Sequence, residues 1–167
     1  MSLKFKKLTL SCALLLLLTG AAWGRDLPPP KIGRLTMPAP WWEIVKDAAW
    51  KNRINPYWIA AVMAVESRYV RFAINKRFKC YGLMQLQKDV ARGLGVTDPF
   101  DAEQNIRAGA RILGRLERRY GGDKKRILKK YNPTDDGSYS REVLKAWRQA
   151  KKDAHSTRKR DKKCTSS

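Results

Sequence analysis

Glu66 is the side chain whose setting most invites chemistry. Ile59, Val62, Met63, Glu66 and Val70 fall at i, i+3, i+4, i+7 and i+11, so a helix would carry this carboxyl along an apolar stripe into the interior. Ionising a carboxyl in apolar surroundings costs desolvation energy, and its pKa rises. Raised from about 4.3 toward about 6, such a group holds a proton near neutral pH and can donate it, as protonation of a glycosidic oxygen requires. Two blander settings fit the same pattern: a buried salt bridge to one of the many arginines, or a carboxylate reaching solvent at a helix end.

The other reactive side chains narrow the chemistry. The single histidine, His155, sits in a basic C-terminal stretch. Multi-His metal sites are therefore excluded, and Ser-His or Cys-His catalysis would have to recruit a residue from that stretch. We expect no metal and no cofactor. No second acid stands beside Glu66 in an obviously suitable place, since Asp89 reads as a helix-surface residue and Asp101 as a cap.

The elements that must position Glu66 are helices. Trp41 to about Lys51 is amphipathic, with Trp42, Val45 and Ala49 on one face. Asn55-Pro56 supplies a cap and a first-turn proline for a second helix over 56–69, whose run from Trp58 to Val65 is apolar all round, as a central core helix requires. Arg71 to Lys79 reads as a basic loop, and Gly82-Leu83-Met84-Gln85-Leu86 as the lead into a short helix ending near Gly93 or Gly95. Asp101 caps a long helix to about Tyr120, stopped by Gly121-Gly122. Ile106, Gly109, Leu113, Leu116 and Tyr120 form its core stripe, and Arg107, Arg111, Arg115 and Arg118 read as a solvated face. Asn105 on that helix reads as a partner for buried backbone. Asp123 to Tyr131 forms another helix, and Tyr139 to Ala150 a last one, with Val143, Leu144 and Trp147 inward. No period-two pattern of any length appears, so the fold class is all-α, a compact domain of five to seven helices.

The 167 residues carry 36 Lys+Arg against 15 Asp+Glu, a net charge of +21 that points to an anionic partner. The N-terminus limits which one. Lys4, Lys6 and Lys7 precede an apolar core over Leu8–Leu18, and Ala22-Trp23-Gly24 offers small residues for cleavage, so residues 1–24 read as a signal peptide. About 15 apolar residues fall short of the roughly 20 that span a bilayer, which disfavours a retained membrane anchor. An exported protein seldom meets cellular nucleic acid, and that class drops out. Residues 25–40 hold five of the eight prolines and read as a linker or wrapping arm, 41–150 as the domain, and 151–167 as a disordered basic tail. Export makes a disulfide between Cys80 and Cys164 chemically possible; two free thiols are the alternative.

Glu66-Ser67, Gly82-Leu83-Met84-Gln85-Leu86, Asn105-Ile106 with Gly109 and Leu113, and Tyr131-Asn132 followed by Tyr139 and Val143 stand in an order and spacing that resembles the catalytic domain of the soluble lytic transglycosylase family. The resemblance covers about residues 42 to 147. It implies a lysozyme-like fold acting on bacterial peptidoglycan in the periplasm or cell wall. Glu66 matches the family's single acid/base, which protonates the oxygen between N-acetylmuramic acid and N-acetylglucosamine and then deprotonates the muramic C6 hydroxyl, giving a 1,6-anhydro product. Ser67 matches a neighbour holding the muramic residue, Met84 and Gln85 match groove residues, and Tyr131 matches the tyrosine that hydrogen-bonds the catalytic carboxyl. Asn132 and Tyr139 join the substrate-binding set. On the residues alone, Met84, Tyr131 and Tyr139 read equally as core.

The chain departs from the family's pattern at Lys79-Cys80, at Gln87-Lys88-Asp89-Val90 and at Pro133-Thr134-Asp135-Asp136, which puts the groove rim in doubt. The expected partners are peptidoglycan glycan strands, with a monomeric enzyme and no nucleic acid. The lack of an appended wall-binding module and the basic tail also suit an enzyme docked on envelope machinery such as a secretion, conjugation, pilus or flagellar system. A muramidase on the same fold and a non-catalytic wall-binding protein are the alternatives.

Overall fold

The computed structural model describes residues 27–164, so residues 1–24 and their reading as a signal peptide lie outside the described residues. Six helices dominate the described residues: α1 (Ala39–Asn52), α2 (Pro56–Ser67), α3 (Lys88–Gly93), α4 (Ala102–Tyr120), α5 (Lys124–Tyr131) and α6 (Ser138–Cys164). The all-α expectation stands, and the additions are five two-residue strands. β1 (Lys31–Ile32) and β2 (Leu35–Thr36) make one hairpin; β3 (Ile74–Asn75), β4 (Cys80–Tyr81) and β5 (Leu86–Gln87) make an antiparallel sheet in that order. Ladders of two residues are too short to print an alternation in the sequence.

α2 is the central element. Asn55 Oδ1 accepts from Tyr57 N at 2.9 Å, Pro56 occupies the first turn, and every residue from Tyr57 to Ala64 is buried. It packs against α6, with Trp58 and Trp147 edge to face at 5.2 Å, while α1 packs against α4. Over its described residues the proline-rich segment contacts α1 and α2. Leu27 O accepts from the Trp42 indole at 2.6 Å, Pro28 O accepts from the Tyr57 hydroxyl at 3.1 Å, and Met37 is buried in the core.

Three expectations change. α2 ends at Ser67 because Arg68 and Tyr69 both turn left-handed, so Val70 leaves the stripe and is exposed. Residues 82–86 form a turn and the start of β5, since Gly82 and Gln85 have positive φ, and α3 begins only at Lys88. The expected disorder of residues 151–167 is not found over its described part, where α6 continues to Cys164. Its last turns are rich in Lys and Arg, whose helix propensity is good, and Gln149 donates to Asp153 one turn on. Cys80 carries a free thiol; the side chain of Cys164 lies outside the described residues.

Candidate active site

Glu66 stands in the last turn of α2, one residue before the helix stops. Apolar packing of α2 on all sides leaves this carboxyl half-buried, and the burial pushes its pKa from 4.5 up to about 7. One hydrogen bond opposes that rise: the Tyr139 hydroxyl donates to Glu66 Oε1 at 2.6 Å. Burial first, and then the charge of Glu66, keep the phenols of Tyr139 and Tyr131 protonated well above their ordinary range. Near neutral pH the site therefore holds one carboxyl on the edge of ionising beside two phenols that remain donors.

Tyr139 is placed by Asp135. Asp135 Oδ1 accepts from Gly137 N at 2.7 Å and Tyr139 N at 3.1 Å, while Oδ2 accepts from Ser140 N at 3.2 Å and from the Ser140 hydroxyl. These are the free amides where α6 begins, and gathering them on one carboxylate fixes the first turn that carries Tyr139. Burial works to raise the pKa of Asp135, but the bonds from Ser140, Gly137 and Tyr139 together hold it below the ordinary value.

The turn that carries Met84 is anchored by Asn105. Its Oδ1 accepts from Met84 N at 2.8 Å and its amide donates to Tyr81 O at 3.1 Å and Pro99 O at 2.9 Å. The reading of Asn105 as a partner for buried backbone stands. Gly82 is required beside it, because its φ is +78° and a Cβ there would meet Pro99 O at 2.3 Å.

The structure redistributes the other site residues. Tyr131 donates to Met84 O at 2.9 Å, so the carboxyl-bonding role expected of Tyr131 belongs to Tyr139; α6 delivers the nearer hydroxyl, while the end of α5 points Tyr131 at the 82–85 turn. The Met84 side chain is fully buried against Gly109, where any Cβ would collide with it. Ser67 donates to Met63 O at 3.1 Å within its own helix and is buried. Gln85 donates to Ala73 O at 3.1 Å and Gly82 O at 2.9 Å, tying the β3 edge to the turn. Asn132 Oδ1 accepts from Thr134 N and Thr134 Oγ1, which closes the loop after α5.

Two residues that the sequence marked only as departures from the family's pattern belong to this neighbourhood. One is Asp135, whose signal was an Asp placed before a helix start. The other is Cys80, whose thiol is held protonated by burial and then by the nearby charge of Glu66. Among the described residues no group of three His, Cys, Asp or Glu side chains could hold a metal. The arrangement suits proton delivery and return by one carboxyl whose burial favours the protonated form.

A family model described as "Transglycosylase SLT domain" matches residues 43–156. The chain is 40% identical over 77 residues to membrane-bound lytic murein transglycosylase F of Desulfosudis oleivorans, over 46% of this chain and 17% of that protein. It is 32% identical over 103 residues to the transglycosylase of Enterobacteria phage PRD1, over 59% of this chain and 37% of that protein. The chain thus spans well under half the length of either relative. Among solved structures it is similar to an inactive mutant of lytic transglycosylase Slt from Pseudomonas aeruginosa, with a TM-score of 0.49 and 21% identity over 62% of this chain and 17% of that one.

Proposed function

Because this chain belongs to the Transglycosylase SLT domain family, we propose that it is a lytic transglycosylase and that Glu66 alone supplies both the acid and the base of the reaction. The substrate is the glycan strand of peptidoglycan, cut between N-acetylmuramic acid and N-acetylglucosamine. The observation that carries this reading is the Glu66 carboxyl, raised to about 7 and bonded by the Tyr139 hydroxyl at 2.6 Å.

Protonated Glu66 gives its proton to the glycosidic oxygen as the C1–O bond breaks. The substrate's own N-acetyl group stabilises the cation that develops at C1, a known substitute for a second carboxylate. The C6 hydroxyl oxygen then bonds to C1 and its proton passes to the Glu66 carboxylate. Glu66 ends as it began, no water is consumed, and the product carries a 1,6-anhydro ring. Tyr139 steadies the carboxylate between the two proton transfers. The protein acts outside the cytoplasm, in the periplasm or cell wall, with residues 1–24 as its export signal.

Mass spectrometry of the products tests the reading. Anhydro-muropeptides, lighter by one water than hydrolysed ones, are expected from purified peptidoglycan, and Glu66→Gln should lower their release by about 10³-fold or more. Hydrolysed products would make the protein a muramidase, and undiminished release by Glu66→Gln would remove Glu66 from the mechanism.

A further inference from the structure

The segment between α2 and β4 gathers exposed large apolar side chains. Of the six large hydrophobic side chains that stand exposed among the described residues, four fall within nine positions: Val70 (53%), Phe72 (66%), Ile74 (53%) and Phe78 (40%). The other two, Trp50 and Val90, lie apart in sequence. Single exposed apolar residues are ordinary, whereas a run of them marks a contact surface.

Cations are interleaved with them. Arg68, Arg71, Lys76, Arg77, Lys79 and Lys88 lie between Ser67 and Lys88, a stretch that contains no Asp or Glu. The Arg71 guanidinium lies 5.2 Å from the Phe72 ring centre and that of Arg77 5.2 Å from Phe78, so charge and ring are presented together. No acid pairs with any of these cations among the described residues.

At Ile74 the hairpin presents a face opposite to the one that carries Cys80. Ile74 pairs with Tyr81 across the β3–β4 ladder, which sets both side chains on one face, while Cys80, the neighbour that feels the charge of Glu66, takes the other. Phe72 and Tyr81 both lean on Phe100, at 5.7 and 6.1 Å.

We infer that the β3–β4 hairpin is a docking surface for an anionic phospholipid bilayer, with Phe72, Ile74 and Phe78 entering the headgroup region while Arg71, Lys76, Arg77 and Lys79 meet the phosphates. Charge complementarity selects an anionic partner, and the exposed rings select a bilayer over a hydrated polyanion, which cations alone would grip. A second copy of the chain is a poor occupant, because it would bring two cationic hairpins together. Docking through this face holds the enzyme at a membrane.

The test is hydrogen exchange of the full chain with vesicles of phosphatidylcholine and phosphatidylglycerol at 3:1, with pure phosphatidylcholine vesicles and soluble polyglutamate as comparisons. Slowed exchange over residues 70–80 is expected with the anionic vesicles only. Phe72→Ser with Phe78→Ser should abolish that protection and weaken vesicle partitioning by about tenfold relative to the parent chain at equal charge. Arg77→Gln with Lys79→Gln should weaken it too and flatten its salt dependence. A thermal melt verifies the fold of each variant. Protection that is absent, equally strong with polyglutamate, or unchanged by either folded pair overturns the inference. None of these readouts uses peptidoglycan cleavage, so failure here is separate from failure of the enzymatic reading.

Discussion

Tyr139 lies between two carboxyl groups, and the two behave oppositely. Its hydroxyl meets Glu66 at the end of α2, and its backbone N–H meets Asp135 in the turn before α6. Asp135 is the less accessible to water, at 5% exposure, yet its pKa falls, while half-buried Glu66 rises to about 7. Loss of water acts upward on both. The difference lies in the donors: Asp135 accepts from three backbone amides and a hydroxyl, and Glu66 is bonded by one phenol. A carboxylate wrapped by amides is a structural anion, and one left in an apolar setting with a single donor is a proton carrier.

The largest effect separating the two belongs to Glu66→Gln, which removes the proton carrier and keeps its shape. Besides the loss of cleavage, the folded protein should gain stability. Folded Glu66 binds its proton more tightly than the unfolded chain does, so the parent loses stability as pH rises from about 4.5 to about 7, by about 3 kcal/mol in full. Gln has no proton to lose. Urea unfolding should therefore show the variant level with the parent near pH 4 and more stable above pH 7. Equal stability at pH 8 would mean that Glu66 is not held in a setting hostile to its charge.

Asp135 should respond with the opposite sign. Asp135→Ala frees three amides at the start of α6 and should cost about 1–3 kcal/mol near pH 7. Because the folded pKa lies below the ordinary value of 3.8, this contribution is present above that pH and disappears as pH falls through the folded value. Catalysis should fall several-fold through the loosened Tyr139. Combined with Tyr139→Phe, the losses should be less than additive, since both act on one contact.

The contrast also marks what could be read in the chain itself. The helices were legible because caps and periodicity are local: Asn55-Pro56 and Asp101 start α2 and α4 as expected. The apolar setting of Glu66 was legible for the same reason, since it continues an apolar run. The role of Asn105 was too, because an amide side chain buried on a core helix must satisfy something. The two tyrosines were not distinguishable, since which hydroxyl reaches the carboxyl depends on how α5 and α6 cross α2, a tertiary fact with no local pattern. Nor was the stop after Ser67 visible, because Arg68 and Tyr69 in left-handed backbone carry none of the usual glycine signal. The tail misled for a further reason: composition reports a lack of core-forming side chains, whereas a helix can continue past its packed part on propensity and local pairs.

The smallest effect sharpens the comparison most, because it divides the two phenols. Tyr139→Phe removes the bond that opposes the rise of the Glu66 pKa, so the high-pH limb of activity should move further up, by less than about one unit. Tyr131→Phe removes a bond to the Met84 carbonyl instead. It should leave that limb in place and cost about 1 kcal/mol of stability, as loss of one neutral hydrogen bond does. A pH profile and an unfolding curve for each variant separate the roles. If the limb moved in Tyr131→Phe and not in Tyr139→Phe, the carboxyl's partner in solution would be the tyrosine at the end of α5, and Asp135 would lose its link to the site.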